Sequence, residues 1–336
     1  MSGDFHIQWH ITDRCNLRCQ HCYQDKFDGS SEPDREGLQK ICDNLIDTMS
    51  RWQKSLTISL TGGEPLLKPE MWKIIDRLSR SDHTAEINII TNATLIERYI
   101  HRFKKAPKLK TIYVSLDGIS PQVNDAVRGK GVFQKVCDNL RLLKENDLSV
   151  FIMFTLLKKN LKEAPQLIDF CRSRLLDGFI LERFMPLGQG RKVRDELLSV
   201  SELEELYKAI FRQCNIEYSC DSARFHALKV DTKDELRLYG AECVVGKFGC
   251  AVLADGSILP CRRFALPIGN LLTTPLNDIW QDSQVLKAVR KRENLQGKCR
   301  DCQIESCLGC RALSYALSGD FLGSDPLCWL EPASKP

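Results

Sequence analysis

Apolar runs and helical stripes alternate through residues 5–215 of the chain. Short apolar runs of strand length are followed by segments in which apolar residues recur every three or four positions, the spacing of one helix face. The run 149–157 is apolar almost throughout, which is typical of a parallel strand covered on both faces. The pattern therefore predicts repeated strand and helix units, with a parallel sheet inside and helices outside.

Six such units fit this part of the chain. The predicted strands cover residues 5–11, 55–60, 86–91, 111–116, 149–157 and 178–184. A further helix is predicted to open at Ser201 and Glu204, which have capping-box spacing, and to end near Cys214. An eight-unit barrel needs more chain, so we predict an α/β fold, a partial (βα)6 TIM-like barrel. Its chemistry is expected at the carboxyl ends of the strands.

The last third of the chain has a different pattern, rich in cysteine and in loops. We expect three parts: the partial barrel at residues 5–215, a bridge at 216–242 and a small cysteine-rich domain at 243–330. Because the small domain has little apolar sequence, it is expected to depend on bound metal for its fold.

The composition narrows the class of protein. The chain has 336 residues, of which 43% are hydrophobic and 27% charged, and it contains neither a membrane-spanning run nor a signal peptide. We therefore expect a soluble cytoplasmic protein. In that compartment its 16 cysteines are expected to be metal ligands, catalytic thiols or buried core residues rather than disulfides.

One short loop after the first predicted strand carries Cys15, Cys19 and Cys22. Three thiolates on one loop can hold three corners of a cubic iron-sulfur cluster, whereas a structural zinc site needs four ligands. One iron is then left for a ligand that is not protein, which points to a bound cofactor or substrate.

This loop resembles the signature of the radical S-adenosylmethionine (radical SAM) superfamily, in which Cys-x3-Cys-x2-Cys is followed by an aromatic residue, here Tyr23. The resemblance implies a 4Fe-4S cluster that binds S-adenosylmethionine and splits it by one-electron reduction. The resulting 5′-deoxyadenosyl radical would then take a hydrogen atom from the substrate.

Polar residues at the ends of the later strands extend the resemblance. Gly62 and Gly63 let backbone approach a ligand closely, and Glu64 offers an acceptor to a cationic group. Together they resemble the family's GGE motif, whose residues bind the methionyl amino group. The same resemblance implies cofactor contacts for Tyr23, Asn92, Ser115, Asp117 and Arg128. Without it, Asn92 and Asp117 could be turn residues, and Arg128 a surface cation.

The C-terminal cysteines form two sets of four. Paired Cys-x2-Cys units are also the usual zinc pattern, so a zinc ribbon is the alternative interpretation. Next to a radical SAM barrel, however, the segment resembles a SPASM domain, which binds two auxiliary 4Fe-4S clusters. The resemblance assigns the first cluster to Cys243, Cys250, Cys261 and Cys310. It assigns the second to Cys299, Cys302, Cys307 and Cys328.

The match to the SPASM pattern has two departures. The spacings from Cys299 to Cys310 are two, four and two residues, where the family has two, five and three. Cys250 stands where many relatives have an apolar residue. If Cys250 is a core thiol, the first auxiliary cluster keeps an open iron that could bind substrate.

The three clusters also change the charge of the molecule. The formal net charge of +4 counts every cysteine as neutral. With eleven thiolates on three cubane cores the sum falls to roughly −1. The cluster of basic residues at 191–194 is read as a solvated face. We therefore expect neither a nucleic-acid nor a membrane partner.

Cys214 and Cys220 belong to neither cluster set. Most unpaired cysteines are buried core residues. A thiol opposite the radical site could instead return a hydrogen atom to the substrate, as an epimerase requires, so Cys220 is a candidate hydrogen-atom donor.

The resemblance implies an oxidoreductase that modifies a ribosomally made peptide or protein, by cross-link, thioether, oxidation or epimerisation. Its partners would be that substrate and an electron donor such as flavodoxin or ferredoxin. Because the barrel begins within the first ten residues, a leader would have to bind either the barrel or a separate leader-binding protein. The alternative is an enzyme of tetrapyrrole-like cofactor biosynthesis acting on a small molecule. A third interpretation is a non-catalytic zinc or electron-transfer module.

Overall fold

A computed structural model describes residues 4–331. The six predicted strands are present, with ends shifted by at most two residues. Their outer faces bury apolar side chains, such as Ile7 and Trp9 of the first strand and Ile58 and Leu60 of the second, beneath the helices. The strands are β1 Phe5–His10, β2 Leu56–Thr61, β3 Thr84–Thr91, β4 Leu109–Ser115, β5 Val150–Leu156, β6 Gly178–Arg183, β7 Ala227–Asp231, β8 Arg237–Ala241, β9 Gly249–Val252, β10 Ser257–Leu259 and β11 Gly269–Asn270.

All these strands belong to one open sheet. Strands β1 to β6 pair in parallel in chain order, as in a partial (βα)6 barrel. The sheet then continues at both edges, in the order β11-β10-β9-β1-β2-β3-β4-β5-β6-β7-β8. Strands β7 and β8 add antiparallel to β6, and β9 adds parallel to β1. The predicted α/β fold class is confirmed, and the segment 216–242 extends the sheet.

Helices pack on the outside of the parallel strands. They are α1 Arg35–Trp52, α2 Met71–Ser79, α3 Ile100–Phe103, α4 Pro121–Arg128, α5 Val132–Glu145, α6 Leu167–Ser173, α7 Val200–Gln213, α8 Leu276–Asp282, α9 Gln284–Val289 and α10 Arg311–Ser318. In the part of the chain that the structure describes, no helix is both long and apolar enough to cross a membrane.

The capping residue of helix α7 is Ser199, two residues before the predicted Ser201. Ser199 accepts the backbone N–H of Glu202, and the Glu202 carboxylate accepts the N–H of Ser199. The prediction of Ser201 and Glu204 as the cap was therefore wrong. Both pairs have the same spacing. In the helix that Ser199 caps, Leu203, Leu206 and Ile210 face the core.

The C-terminal segment packs directly on the barrel. Phe5 of β1 makes edge contacts with Trp52 of α1 and Trp280 of α8, at ring-centroid distances of 5.2 and 4.9 Å. Asn44 of α1 donates to the carbonyls of Leu271 and Thr274. The two parts thus share one apolar core, and the position of one constrains the other.

Replacing Ser199 with alanine is expected to lower the free energy of unfolding by about 1 kcal/mol, because the first turn of α7 loses its cap. Urea unfolding followed by far-UV circular dichroism measures the change. Ser201→Ala is the matched control and should change the free energy by less than about 0.5 kcal/mol. A larger loss in the control than in Ser199→Ala would contradict the capping assignment.

Candidate functional site

Three cysteines of the first loop line one cavity of about 170 Å³. Backbone N–H groups hold two of them in place: Leu17 lies 3.4 Å from the Cys15 sulfur, and Gln24 lies 3.5 Å from the Cys22 sulfur. Burial raises the pKa of all three thiols, that of Cys19 to about 12. Thiols in such a setting become thiolates when a metal supplies positive charge, so the donor set fits an iron-sulfur cluster.

Gly62 and Gly63 follow β2 and press against the cysteine loop itself. A Cβ atom on Gly62 would lie 2.4 Å from the Thr12 carbonyl oxygen, and one on Gly63 would lie 2.3 Å from that of Arg14. The N–H of Gly63 donates to Thr12 and that of Glu64 to Arg14, both at 2.8 Å. The two glycines line the cavity, and their close approach also fixes the position of the cysteine loop.

The Glu64 carboxylate is fully buried between two strand ends. It accepts hydrogen bonds from the N–H of Leu66, the hydroxyl of Thr91 and the N–H of Asn92. Burial raises its pKa to about 7, against the opposing effect of these donors. In this structure the carboxylate joins the loop after β2 to the end of β3, behind the residues that line the cavity.

Asp117 forms the charged centre on the other side of the cysteine loop. Its carboxylate lies 2.7 Å from Arg128 and 2.6 Å from Nε2 of His21, and it accepts the N–H of Thr155 at 2.8 Å. Burial alone would raise the pKa of Asp117, but the charges of Arg128 and His21 outweigh it and lower the pKa to about 2. Arg128 in turn approaches the Cys19 sulfur at 3.9 Å.

The remaining predicted cofactor residues also reach the cavity. The Asn92 amide lies 3.9 Å from the Cys15 sulfur and donates to the side chain of Asn16. Ser115 and Tyr23 line the cavity wall. Arg128 is 7% exposed and points inward, so it is not a surface cation.

Several cavity residues were missed by the sequence analysis. The Arg262 guanidinium lies 4.1 Å above the Tyr23 ring and donates to Nδ1 of His10, while Nε2 of His10 lies 3.1 Å from Asp13. Burial and the charge of Arg262 lower the pKa of His10 to about 4, so the ring is neutral at pH 7. The one sequence signal for Arg262 was its place directly after Cys261.

A second cavity of about 250 Å³ continues along the inner face of the sheet. The two cavities share the wall residues Gln8, Ile90, Met153, Glu182 and Arg262. Cys250 and Cys261 line the second cavity. The cavity beside the first cysteine loop is therefore adjacent to the cavity beside the C-terminal cysteines.

The second C-terminal set comes together as predicted from the resemblance. Cys299, Cys302, Cys307 and Cys328 line one small cavity. The N–H groups of Asp325 and Gly309 point at the sulfurs of Cys299 and Cys307, both at 3.3 Å. Within residues 4–331, no three His, Cys, Asp or Glu side chains are close enough to hold a single metal ion.

In the first C-terminal set, the surroundings of Cys243 and Cys250 differ. Burial and the neighbouring thiols of Cys310 and Cys261 raise the pKa of Cys243 to about 12. For Cys250, burial alone raises the pKa to about 12. Cys250 lies on β9, paired in register with Ile7 of β1.

Cys214 and Cys220 lie away from the cavity of the first loop. Cys214 is buried at the end of α7, as expected of a core thiol. Cys220 is exposed, and its carbonyl accepts the indole N–H of Trp329.

Comparison with known proteins gives two family matches. Residues 9–171 match the Radical SAM superfamily, and residues 243–303 match SPASM, an iron-sulfur cluster-binding domain. The second match ends before Cys307, Cys310 and Cys328.

Relatives cover nearly the whole chain. An AdoMet-dependent heme synthase of Methanosarcina barkeri is 28% identical over 98% of this chain and 97% of its own. Mycofactocin maturase MftC of Mycolicibacterium smegmatis is 28% identical over 97% of this chain and 84% of its own.

Two solved structures share the fold. SuiB of Streptococcus suis, bound to the precursor peptide SuiA, superposes with a TM-score of 0.71 at 17% identity, over 98% of this chain and 77% of that one. The enzyme anSMEcpe, with bound AdoMet and a peptide, superposes with a TM-score of 0.72 at 18% identity, over 97% and 94%.

Asp117→Asn is expected to lower the free energy of unfolding at pH 7 by about 3 kcal/mol, because it leaves the buried Arg128 charge unpaired. A lowered native pKa stabilises the fold above the unfolded pKa, so in the unchanged protein this contribution is lost as pH falls from about 4 to about 2. Urea unfolding at several pH values measures both effects.

The matched control is Asp43→Asn, which breaks the exposed pair with Arg77. An exposed ion pair contributes at most about 1 kcal/mol to the free energy of unfolding. Asp43→Asn should therefore lower the free energy of unfolding by less than Asp117→Asn does. Equal losses would show that the buried pair contributes no more than a surface pair.

Proposed function

Because this chain is a radical SAM enzyme with an iron-sulfur cluster-binding SPASM domain, we propose that it modifies a ribosomally made peptide or protein at a carbon-hydrogen bond. The observation that carries the proposal is the pair of adjacent cavities on the inner face of the sheet, one lined by Cys15, Cys19 and Cys22 and the other by Cys261. A substrate at this place would lie between the first cysteine loop and the C-terminal cysteines.

Cys15, Cys19 and Cys22 would hold the first 4Fe-4S cluster. When bound, that cluster would supply the electron that splits S-adenosylmethionine and so generates the 5′-deoxyadenosyl radical. The residues around it would orient the cofactor: Tyr23 against the adenine, and Asn92 and Ser115 along the cavity wall. The ion pair with Asp117 holds Arg128 in place. The carboxylate of the cofactor would meet the guanidinium of Arg128.

The two C-terminal sets would hold two auxiliary clusters, which gives three 4Fe-4S clusters in the chain. Cys299, Cys302, Cys307 and Cys328 supply four ligands to one of them. Cys243, Cys261 and Cys310 would supply three to the other, and that cluster would keep an open iron if Cys250, which is buried on β9, is a core thiol. Auxiliary clusters beside the cavity suit a net oxidation, because they can take an electron from the substrate radical.

A peptide suits the shape and lining of the cavity. The sheet remains open between its edge strands β11 and β8, so a chain can enter from the side. Hydroxyl, amide and charged side chains line much of the cavity and can meet the polar backbone of a peptide. The maturase MftC, a relative over nearly the whole chain, agrees with this class of substrate.

The second candidate is an enzyme acting on an iron tetrapyrrole. It is favoured by the heme synthase relative, with which this chain aligns over almost the full length of both proteins. Arg262 and Arg263, which line the first cavity, could pair with the acidic side chains of such a ring. The same radical chemistry would apply, and only the substrate would differ.

The proposed partners follow from this chemistry. A flavodoxin or ferredoxin would reduce the first cluster. A separate leader-binding protein would present the peptide. Oxygen-sensitive clusters and 16 cysteines fit the cytoplasm.

The cluster assignment predicts about twelve irons per chain after anaerobic reconstitution and about eight in Cys19→Ala. Without its first cluster the variant should form no 5′-deoxyadenosine from S-adenosylmethionine and dithionite. Iron, sulfide and zinc analysis with product chromatography checks both values. Cys137→Ala, which changes a half-buried thiol of α5, should behave as the unchanged enzyme. Zinc in place of iron would favour the non-catalytic zinc module.

The substrate is tested by anaerobic co-expression with each short peptide encoded beside the gene, followed by mass spectrometry. Loss of two hydrogens from a peptide with the enzyme, but not with its Cys15→Ala variant, is the expected result. An unchanged mass with deuterium uptake from solvent would indicate epimerisation. If no peptide changes while purified Fe-coproporphyrin III, the compound in another relative's name, is converted, the tetrapyrrole candidate replaces the peptide.

A further inference from the structure

A buried carboxylate connects the two C-terminal cysteine sets. Asp325 is 1% exposed. Its backbone N–H lies 3.3 Å from the sulfur of Cys299, which belongs to the second set. Its side chain accepts the N–H of Cys310, which belongs to the first set, at 3.0 Å. One residue therefore contacts a proposed ligand of each auxiliary cluster.

The same carboxylate is anchored to the barrel. Arg183, the last residue of β6, donates to Asp325 at 3.1 Å and is itself 3% exposed. The other terminal nitrogen of Arg183 donates to the carbonyls of Ala223 and Phe225. Arg183 also lines the first cavity. The pair thus links the wall of the cavity to both cysteine sets.

The titratable groups around Asp325 are a neutral histidine and buried arginines. Burial and the charge of Arg183 lower the pKa of His226, 3.7 Å from Asp325, to about 3, so this ring is neutral at pH 7. Arg311 is fully buried and donates to the Cys299 sulfur at 3.4 Å. Beside the cysteine sets there are therefore one buried negative charge, on Asp325, and two buried positive charges, on Arg183 and Arg311. The negative charge offsets part of the positive charge.

The Asp325 carboxylate lies close to both cysteine sets. It accepts the N–H of Cys310 at 3.0 Å, and the backbone N–H of the same residue lies 3.3 Å from the Cys299 sulfur. A buried negative charge beside a cluster disfavours the reduced state of that cluster, since reduction adds one electron.

We propose that Asp325 is a positioning residue shared by the two auxiliary clusters, where it fixes the loops of both and holds both reduction potentials at lower values. The proposal rests on the auxiliary clusters of the proposed function, and it is independent of which substrate the enzyme modifies. Because one buried charge acts on both auxiliary clusters, it would shift their two reduction potentials in the same direction.

The test is an anaerobic redox titration of the reconstituted full chain, followed by electron paramagnetic resonance, in Asp325→Asn. Removing the negative charge should shift the potentials of both auxiliary clusters to more positive values, with iron content unchanged. Asp282→Asn removes an exposed carboxylate of α8 and should leave both potentials where they were. Unmoved potentials, or a shift of only one cluster, would overturn the proposal.

A second variant covers the case in which Asp325→Asn loses its clusters. Asp325→Asn combined with Arg183→Gln removes both charges of the buried ion pair together, and it is compared with Arg183→Gln alone. The double variant should again have the more positive potentials, and equal potentials in these two proteins would refute the idea.

Iron analysis separates this proposal from the proposed function. About four irons in the unchanged chain would overturn both, because there would be no auxiliary clusters. About twelve irons without any modified substrate would overturn the substrate assignment alone, and the potentials would still decide the role of Asp325.

Discussion

Every functional loop of this protein depends on the pairing of β1 with strands on both of its sides. β1 pairs in parallel with β2 over its whole length and with β9 over four residues. Gly249 of β9 allows this close approach, since a Cβ there would lie 2.7 Å from the His6 carbonyl oxygen. The first cysteine loop leaves the carboxyl end of this central strand. It therefore lies where the barrel and the C-terminal segment meet, within reach of cysteines more than two hundred residues away in the chain.

Buried carboxylates secure this arrangement at three places. Asp117 holds Arg128 and His21 beside Cys19, Glu64 joins two strand ends, and Asp325 joins the two C-terminal cysteine sets. Each would be costly to bury alone, and each is balanced by hydrogen bonds or by an arginine. Because both partners come from different strands or loops, these contacts fix loop positions that the sheet alone would leave free.

The arrangement also explains why one scaffold can serve different substrates. The groups expected to bind the first cluster and S-adenosylmethionine lie at the ends of the first four strands, whereas the second cavity is lined by the inner faces of the strands and by the C-terminal segment. Changes in that second cavity alter what is bound without disturbing the first cysteine loop. Relatives named for a heme synthase and for a peptide maturase agree with such a division.

The features that could be predicted from the sequence alone are those that depend on the spacing of residues close together in the chain. The intervals between Cys15, Cys19 and Cys22 are fixed by the covalent chain, and helical and strand periodicities are local, so the six βα units and the first cysteine loop could be predicted. The division of the C-terminal cysteines into two sets came from the resemblance to the SPASM domain. Among these local signals the Ser199 cap was missed, because two pairs with the same spacing stand two residues apart and only packing chooses between them. The tertiary structure decided which charged groups pair. His10 with Arg262 and Arg183 with Asp325 lie 252 and 142 residues apart, and only the order of strands in the sheet brings them together.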